Sequence, residues 1–392
     1  MAKRKRKLPP WLHRPAYYAI RGLLATALTN DIGANLRAAK MLARVYSRFE
    51  PGRVRRTMDT LGVAFPEMPA DQRRRYALHA YEHLFMLGVE MAHTPTLVTS
   101  DTWPMHIQLA GLTPAARLLV SGRPCLMITG HCGNWELLGY TMSLLGFPIH
   151  ALYRPLDLKP MDTWVRRTRE RRGLSLLDKY GAAQAMPRLM ERGELVAFIA
   201  DQNAGDRGLF VPFFGRLAST YKSIGLMAMQ FDAPIICGQA RRLVRGRDDA
   251  AGVGPADMVG GFREFDPTQP LQYRVEVVDI IEPGDWKGRP DPLFYISARY
   301  RRAIEAMVRN APEQNLWLHR YWKSRPGFEK KGKPFPASLR AKLRALPWMT
   351  DVELARIEDW SARDAAEIAG RPPKPSKFVV AAAAPADPAS AP

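Results

Sequence analysis

The chain has 392 residues, 46% of them hydrophobic, and its 58 Lys and Arg against 38 Asp and Glu give a formal charge of +20. That length supports one large domain or two small ones with a real core. The charge calls for an anionic partner, whether nucleic acid, an anionic membrane surface, or an acidic substrate or carrier. Cys125, Cys132 and Cys237 are odd in number and scattered through apolar runs, which argues against a disulfide framework or a zinc site and for reduced thiols in a cytoplasmic environment.

The N-terminus opens on Lys3-Arg-Lys-Arg-Lys7 without the apolar core of a signal peptide, and no run of 18 apolar residues predicts a spanning helix. Pro15 to Leu28 comes nearest, interrupted by Arg21. A helix there places Tyr17, Ile20, Leu24 and Leu28 on one apolar face, as in a helix lying in the headgroup region. The basic run before it adds about 1 kcal/mol per residue near an anionic surface. Residues 1–34 are therefore expected to associate with a membrane; a solvated tail and an ordinary core helix is the alternative. Helices are then predicted over Asn35 to Phe49, Arg53 to Ala64 and Ala70 to about His93, the last with Tyr76, Ala80, Leu84, Leu87 and Met91 as its stripe. His79 and His83 have a metal-compatible spacing, but no acidic residue completes a zinc motif, and no metal site is expected.

From Arg117 strands and helices alternate. Strands are predicted at Cys125 to Thr129, Pro148 to Tyr153, Leu174 to Leu177, Leu195 to Ala200, Pro234 to Gly238 and Leu271 to Ile281. Helices fall near Trp135 to Leu145, Pro160 to Arg172, Ala182 to Arg192, Ser219 to Phe231 and Asp291 to Asn310. This order predicts an α/β fold with a mostly parallel sheet flanked by helices. Arg245 to Gln269 reads as an excursion loop. The domain expected over 35–328 includes the N-terminal helices, and 329–392 reads as a basic, then Pro/Ala-rich tail, largely disordered.

The chemistry centres on Gly130-His-Cys-Gly-Asn-Trp-Glu-Leu-Leu-Gly139. His131 and Glu136 follow a buried strand, where α/β enzymes commonly keep their sites. Five residues apart in one helix they would lie about 140° apart. They can meet only with His131 on the preceding turn and Glu136 in the first helical turn. A carboxylate on one imidazole nitrogen would fix the tautomer and free the other as a base able to deprotonate a hydroxyl. Taken alone, the pair reads more readily as a structural histidine. No Gly-x-Ser-x-Gly elbow occurs, and Cys132, pointing away from its neighbour, is a poor nucleophile.

This segment resembles the His-x4-Asp/Glu motif of the lysophospholipid acyltransferase superfamily. It is most similar to the branch holding the late acyltransferases of lipid A biosynthesis and the phosphatidylinositol mannoside acyltransferases. Four more segments resemble that branch in order: Leu61-Gly-Val-Ala-Phe-Pro-Glu67, Trp164-Val-Arg-Arg-Thr-Arg169, Asp201-Gln-Asn with Gly208 to Gly215, and Ala311 to Pro326. The resemblance implies His131 as general base, Glu136 as its orienting carboxylate and Arg169 as holder of an anionic group or of the oxyanion. Asp201, at a strand end, is either an assistant of the base or a plain loop-starting residue. Asn134 and Arg207 are expected to bind substrate, Arg207 through an acceptor phosphate. The Phe210 to Phe214 run reads as an acyl-pocket wall or as core, and Trp317, His319, Arg320, Lys323 and Arg325 as structural closure. The implied reaction moves a fatty acyl chain from acyl carrier protein or CoA to a hydroxyl of an anionic glycolipid at the cytoplasmic face of the inner membrane. It needs no cofactor and no metal. Competing readings are a lysophospholipid or phosphoglycolipid acyltransferase, a non-catalytic lipid-binding relative, and a nucleic-acid-binding protein; the last lacks any recognised motif.

Overall fold

A computed structural model describes residues 9–170, 173–178, 181–243, 258–259 and 270–372. Its first hundred residues are helical: α1 (His13–Leu28), α2 (Ile32–Phe49), α3 (Pro51–Ala64), α4 (Ala70–Leu97) and the short α5 (Trp103–His106). Asp31 caps α2 by accepting from the Ala34 amide at 2.9 Å. The inner stripe of α2, Leu36, Ala39 and Ala43, packs on α4. Helix α1 differs from the rest, because none of its residues is buried.

The α/β part runs β1 (Ile107–Ala110), α6 (Thr113–Leu119), β2 (Cys125–Thr129), α7 (Trp135–Leu144), β3 (Ile149–Tyr153), α8 (Lys159–Glu170), β4 (Leu174–Asp178), α9 (Ala182–Glu191) and β5 (Leu195–Ile199). The hairpin β6 (Leu209–Phe213) and β7 (Arg216–Thr220) follows, then α10 (Lys222–Gln230), β8 (Ile235–Arg242), β9 (Met258–Val259), β10 (Tyr273–Ile281), α11 (Pro283–Trp286) and α12 (Pro292–Asn310). Eight strands form one sheet in the order β4-β3-β5-β2-β8-β10-β1-β9. The β4 to β8 half is parallel, whereas β10 runs antiparallel to β8 and β1 parallel to β10. The central strands are continuous apolar runs because helices cover both faces: Cys125, Leu126 and Ile128 of β2 and Leu195 and Val196 of β5 are buried. The hairpin stands apart as a second, two-stranded sheet.

Two expectations change. Ser219 begins no helix; it belongs to β7, and α10 starts at Lys222. Residues 329–370 are not a loose tail. After α13 (Gly327–Lys330) come α14 (Ala337–Arg344) and α15 (Asp351–Ile368), the last started by a capping box between Thr350 and Glu353. Asp364 of α15 meets Arg325 at 2.7 Å and also pairs with Arg216 of β7, while Arg325 grips Glu329 at 2.7 and 2.9 Å. These buried ions satisfy one another, which is what lets a basic segment dock instead of remaining in solvent. The basic run before Leu8, most of the 245–269 excursion and the Pro/Ala-rich end after Pro372 lie outside the described residues.

Candidate active site

β2 and β5 are neighbours in register, with Thr129 opposite Ile199. Two residues beyond each lie His131 and Asp201, so adjacency of two parallel strands delivers both side chains to one edge of the sheet. His131 Nδ1 lies 2.7 Å from Asp201 Oδ1. Asp201 is 1% exposed. Burial works to raise its carboxyl, but His131, His319 and Arg301 outweigh it and hold the group at about 2. An ionised Asp201 accepts the Nδ1 proton and leaves Nε2 of His131 as the basic nitrogen. The other carboxylate oxygen of Asp201 is buried without a hydrogen-bond partner among the described residues.

His131 stands on the turn before α7 and Glu136 in its first turn, as their spacing requires. They nevertheless go to different partners. Glu136 is paired with Arg169 of α8, whose guanidinium also lies over the Tyr153 ring at 5.4 Å. The carboxylate that engages the imidazole is Asp201, 70 residues away, and the Glu136–Arg169 pair forms a separate charged wall beside it. The His131 ring is held edge-on between Trp135, at 4.9 Å between centroids, and His319, at 4.4 Å. Burial lowers the pKa of His319, against the opposing pull of Asp201. Arg301 of α12, fully buried, donates to the carbonyls of Ala200 at 3.1 Å and Asp201 at 2.7 Å and so fixes the end of β5. His131, Asp201 and His319 offer ligand atoms within 4.8 Å of one another, a grouping that three side chains could use on a metal ion.

The turn carrying His131 is moulded by close packing. A Cβ on Gly130 would sit 2.9 Å from Ile304, and one on Gly133, whose φ is +59°, would run into the Ala240 carbonyl. Only glycine fits the second position at no steric cost. The C-terminal block pins the same turn through Gly133 N to the Gln314 carbonyl at 3.0 Å and Leu316 N to the His131 carbonyl at 2.8 Å.

Behind the turn lies a buried polar hub that sequence reading missed. Glu90, 0% exposed, accepts from the Tyr273 hydroxyl at 2.6 Å and from the Asn134 amide at 3.2 Å, and is ion-paired with Arg242. His83 donates to the Gly133 carbonyl at 3.0 Å; burial, with Arg242 adding to it, pushes this histidine down to about 3. His83 is thus a support of the turn. Asn134, expected to bind substrate, is 1% exposed and spends its oxygen on the Leu137 amide at 2.9 Å and its nitrogen on Glu90. The signal for this hub in the sequence is His83 and Glu90, seven residues apart and so on one face of α4, among Ala80, Met86 and Leu87.

A cavity of about 550 Å³ is lined by His131, Glu136 and Arg169 and is mostly apolar; Met127, Leu138, Met142, Phe147, Leu174 and Leu176 are among its walls, with Arg154, Gln202, Ser223 and Glu276 as further polar members. It runs between the sheet and α6 and α7. Arg207 is exposed on the turn before β6 and does not line it. The Phe210 to Phe214 run does not line it either, because Phe213 and Phe214 are completely buried in the core beside α12. Cys132 is buried and its thiol pushed far up by that burial, so it is no nucleophile.

Residues 13–255 match the family model for bacterial lipid A biosynthesis acyltransferases. The chain belongs to that family. It is 25% identical over 274 residues to the lipid A biosynthesis palmitoleoyltransferase of Escherichia coli K12, covering 68% of this chain and 77% of that one. The lipid A biosynthesis acyltransferase of Shigella flexneri matches to the same extent. The lipid A biosynthesis lauroyltransferase of E. coli K12 is 24% identical over 293 residues, 73% of this chain and 84% of the relative. This family member is an O-acyltransferase, and its His131–Asp201 pair lies beside a mostly apolar cavity.

Proposed function

We propose that this acyltransferase moves a fatty acyl chain from a thioester donor, acyl carrier protein or CoA, to a hydroxyl of a lipid A precursor or similar glycolipid at the cytoplasmic face of the inner membrane. The observation that carries this reading is the His131–Asp201 pair, with His131 on the wall of the mostly apolar 550 Å³ cavity. The acyl chain occupies the cavity, which places its thioester carbonyl beside His131. Nε2 takes the proton of the acceptor hydroxyl as its oxygen attacks that carbonyl, and Asp201 stabilises the imidazolium that forms. Collapse of the tetrahedral intermediate expels the thiolate, which takes the proton back from His131. Arg169, held by Glu136, faces the same space and serves the oxyanion or an anionic group of a substrate.

The membrane side is assigned to α1 and α2. Tyr18 and Leu23 of α1 and Met41, Leu42, Val45 and Phe49 of α2 are exposed apolar residues interleaved with Arg21, Lys40, Arg44 and Arg48. No helix among the described residues is long and apolar enough to cross a membrane. These helices are therefore proposed to lie in the interface. Arg21 stacks over Trp164 of α8 at 4.5 Å, which ties this surface to the helix that carries Arg169.

Lipid mass spectrometry of the native host with and without the gene tests the assignment. One acyl chain missing from lipid A is the expected result, restored by the wild-type gene and not by His131→Ala. An intact lipid A with an altered phospholipid profile would overturn it.

A further inference from the structure

The turn after β5 and the C-terminal block are sewn together next to His131. Gln202 reaches His319 at 3.5 Å. Asn203 donates to the Ser324 hydroxyl at 3.1 Å and accepts from the Ser324 amide at 3.2 Å. Asp206 meets Lys330 at 2.9 Å. The surface built this way begins at the His131 pocket and carries Arg207, Arg320, Lys323, Lys331 and Lys333, all exposed. Among the described residues none of these five makes an ion pair, and Asp206 is the single exposed carboxylate on the two segments. Between Asp201 and Thr220, and between Pro312 and Asp351, no large apolar side chain is exposed.

This rim is unlike the α1–α2 surface, where cations alternate with bare apolar residues. Cations without apolar neighbours do not suit insertion into a bilayer; they suit a folded partner that presents carboxylates to water. The two surfaces also approach His131 from different directions. Arg21, Trp164 and α8 lead to the Glu136–Arg169 wall, whereas Gln202 and His319 lead to the basic rim.

We propose that Arg207, Arg320, Lys323, Lys331 and Lys333 form the docking surface for an acidic carrier protein, which presents the acyl thioester to His131 from the His319 side while the lipid acceptor arrives from the α8 side. The proposal rests on the reading above that the donor is a carrier protein. Opposed charges across such a contact mainly raise the association rate, and salt screens them.

The test uses the full-length Arg320→Glu/Lys323→Glu enzyme with acyl-loaded carrier protein, with an uncharged acyl-pantetheine donor, and with vesicles containing phosphatidylglycerol. The KM for the acyl carrier protein is expected to rise tenfold or more with kcat within about twofold, and its dependence on salt to flatten. Turnover of acyl-pantetheine and binding to vesicles stay at wild-type levels. An unchanged KM for the carrier overturns the proposal, and so does a parallel loss of vesicle binding, which would assign the rim to lipid. A wild-type enzyme that uses acyl-CoA and not the acyl carrier protein overturns the donor reading instead. Should that variant misfold, Lys331→Glu/Lys333→Glu, on the turn after α13, is held to the same criteria.

Discussion

Two polar clusters flank the β2–α7 turn, and they are built from the same residue types for opposite ends. In front, His131 lines a cavity with Asp201 and His319 packed against its ring, and Asp201 keeps one buried oxygen without a partner among the described residues. Behind, Glu90, Tyr273, Asn134 and His83 are buried and Arg242 is nearly so; both oxygens of Glu90 are engaged, whereas Nδ1 of His83 and Nε and Nη2 of Arg242 have no hydrogen-bond partner among the described residues. A buried ion is tolerated when its partners are complete, and removing one of them leaves an uncompensated charge. The front cluster is proposed to serve the reaction and the rear one stability. Either polar set, seen as a list of residues, looks catalytic; access to the cavity, through His131, separates them.

Mutations that act on one cluster alone sharpen this contrast. His131→Ala should lower kcat/KM by about 10³ to 10⁴ while leaving the melting temperature near wild type, and Asp201→Asn should cost about 10² or more through loss of the oriented tautomer. Equal activity of either variant in a membrane assay would remove the pair from the reaction. Glu90→Ala should destabilise by about 3 to 5 kcal/mol, since it strands Arg242 in the core. Its remaining folded fraction should retain kcat, and a normal denaturation midpoint would mean that the hub does not bear on stability.

pH provides a third contrast. His83 is pushed down to about 3 in the folded state against an ordinary value of 6.5. The unfolded chain therefore binds a proton that the folded chain refuses. The His83 contribution is complete above pH 6.5 and is lost as pH falls from 6.5 towards 3, by an amount on the order of a few kcal/mol. His83→Gln, which can still donate to the Gly133 carbonyl, should flatten the stability profile over that window; an unchanged profile contradicts the assignment. The smallest effect is expected at Gly139 on the cavity wall. A Cβ there would touch Leu174 at 3.8 and 3.9 Å, ordinary contact, so Gly139→Ala fits and Gly139→Leu reaches into the space. The leucine variant should prefer shorter acyl donors by a few-fold; an unaltered chain-length profile would show that the acyl chain lies elsewhere.

Much of the architecture was legible in the chain. Apolar runs bounded by turn residues place β2, β3, β4 and β5 to within a residue or two, and helical periodicity places α2, α4 and α12. The hairpin was not legible, because nothing along Phe210 to Phe214 announces the turn that Phe214, with φ +53°, makes into β7. Nor was the folded α14–α15 segment, whose basic composition resembles a solvated tail until Arg216 and Arg325 meet Asp364. Within the site, the sequence named His131, Glu136, Arg169 and Asp201 and left their pairing open or misassigned it.

The sequence by itself determined the main elements, the His131 motif and the family, because periodicity, turn chemistry and local motifs are encoded over a few neighbouring residues. Only the tertiary structure decided that His131 turns to Asp201 rather than Glu136, that Glu136 belongs to Arg169, and that Asn134 and His83 face the Glu90 hub. Those choices depend on which strands lie side by side. Strand order is set by packing across the whole sheet, and no spacing along the chain contains it.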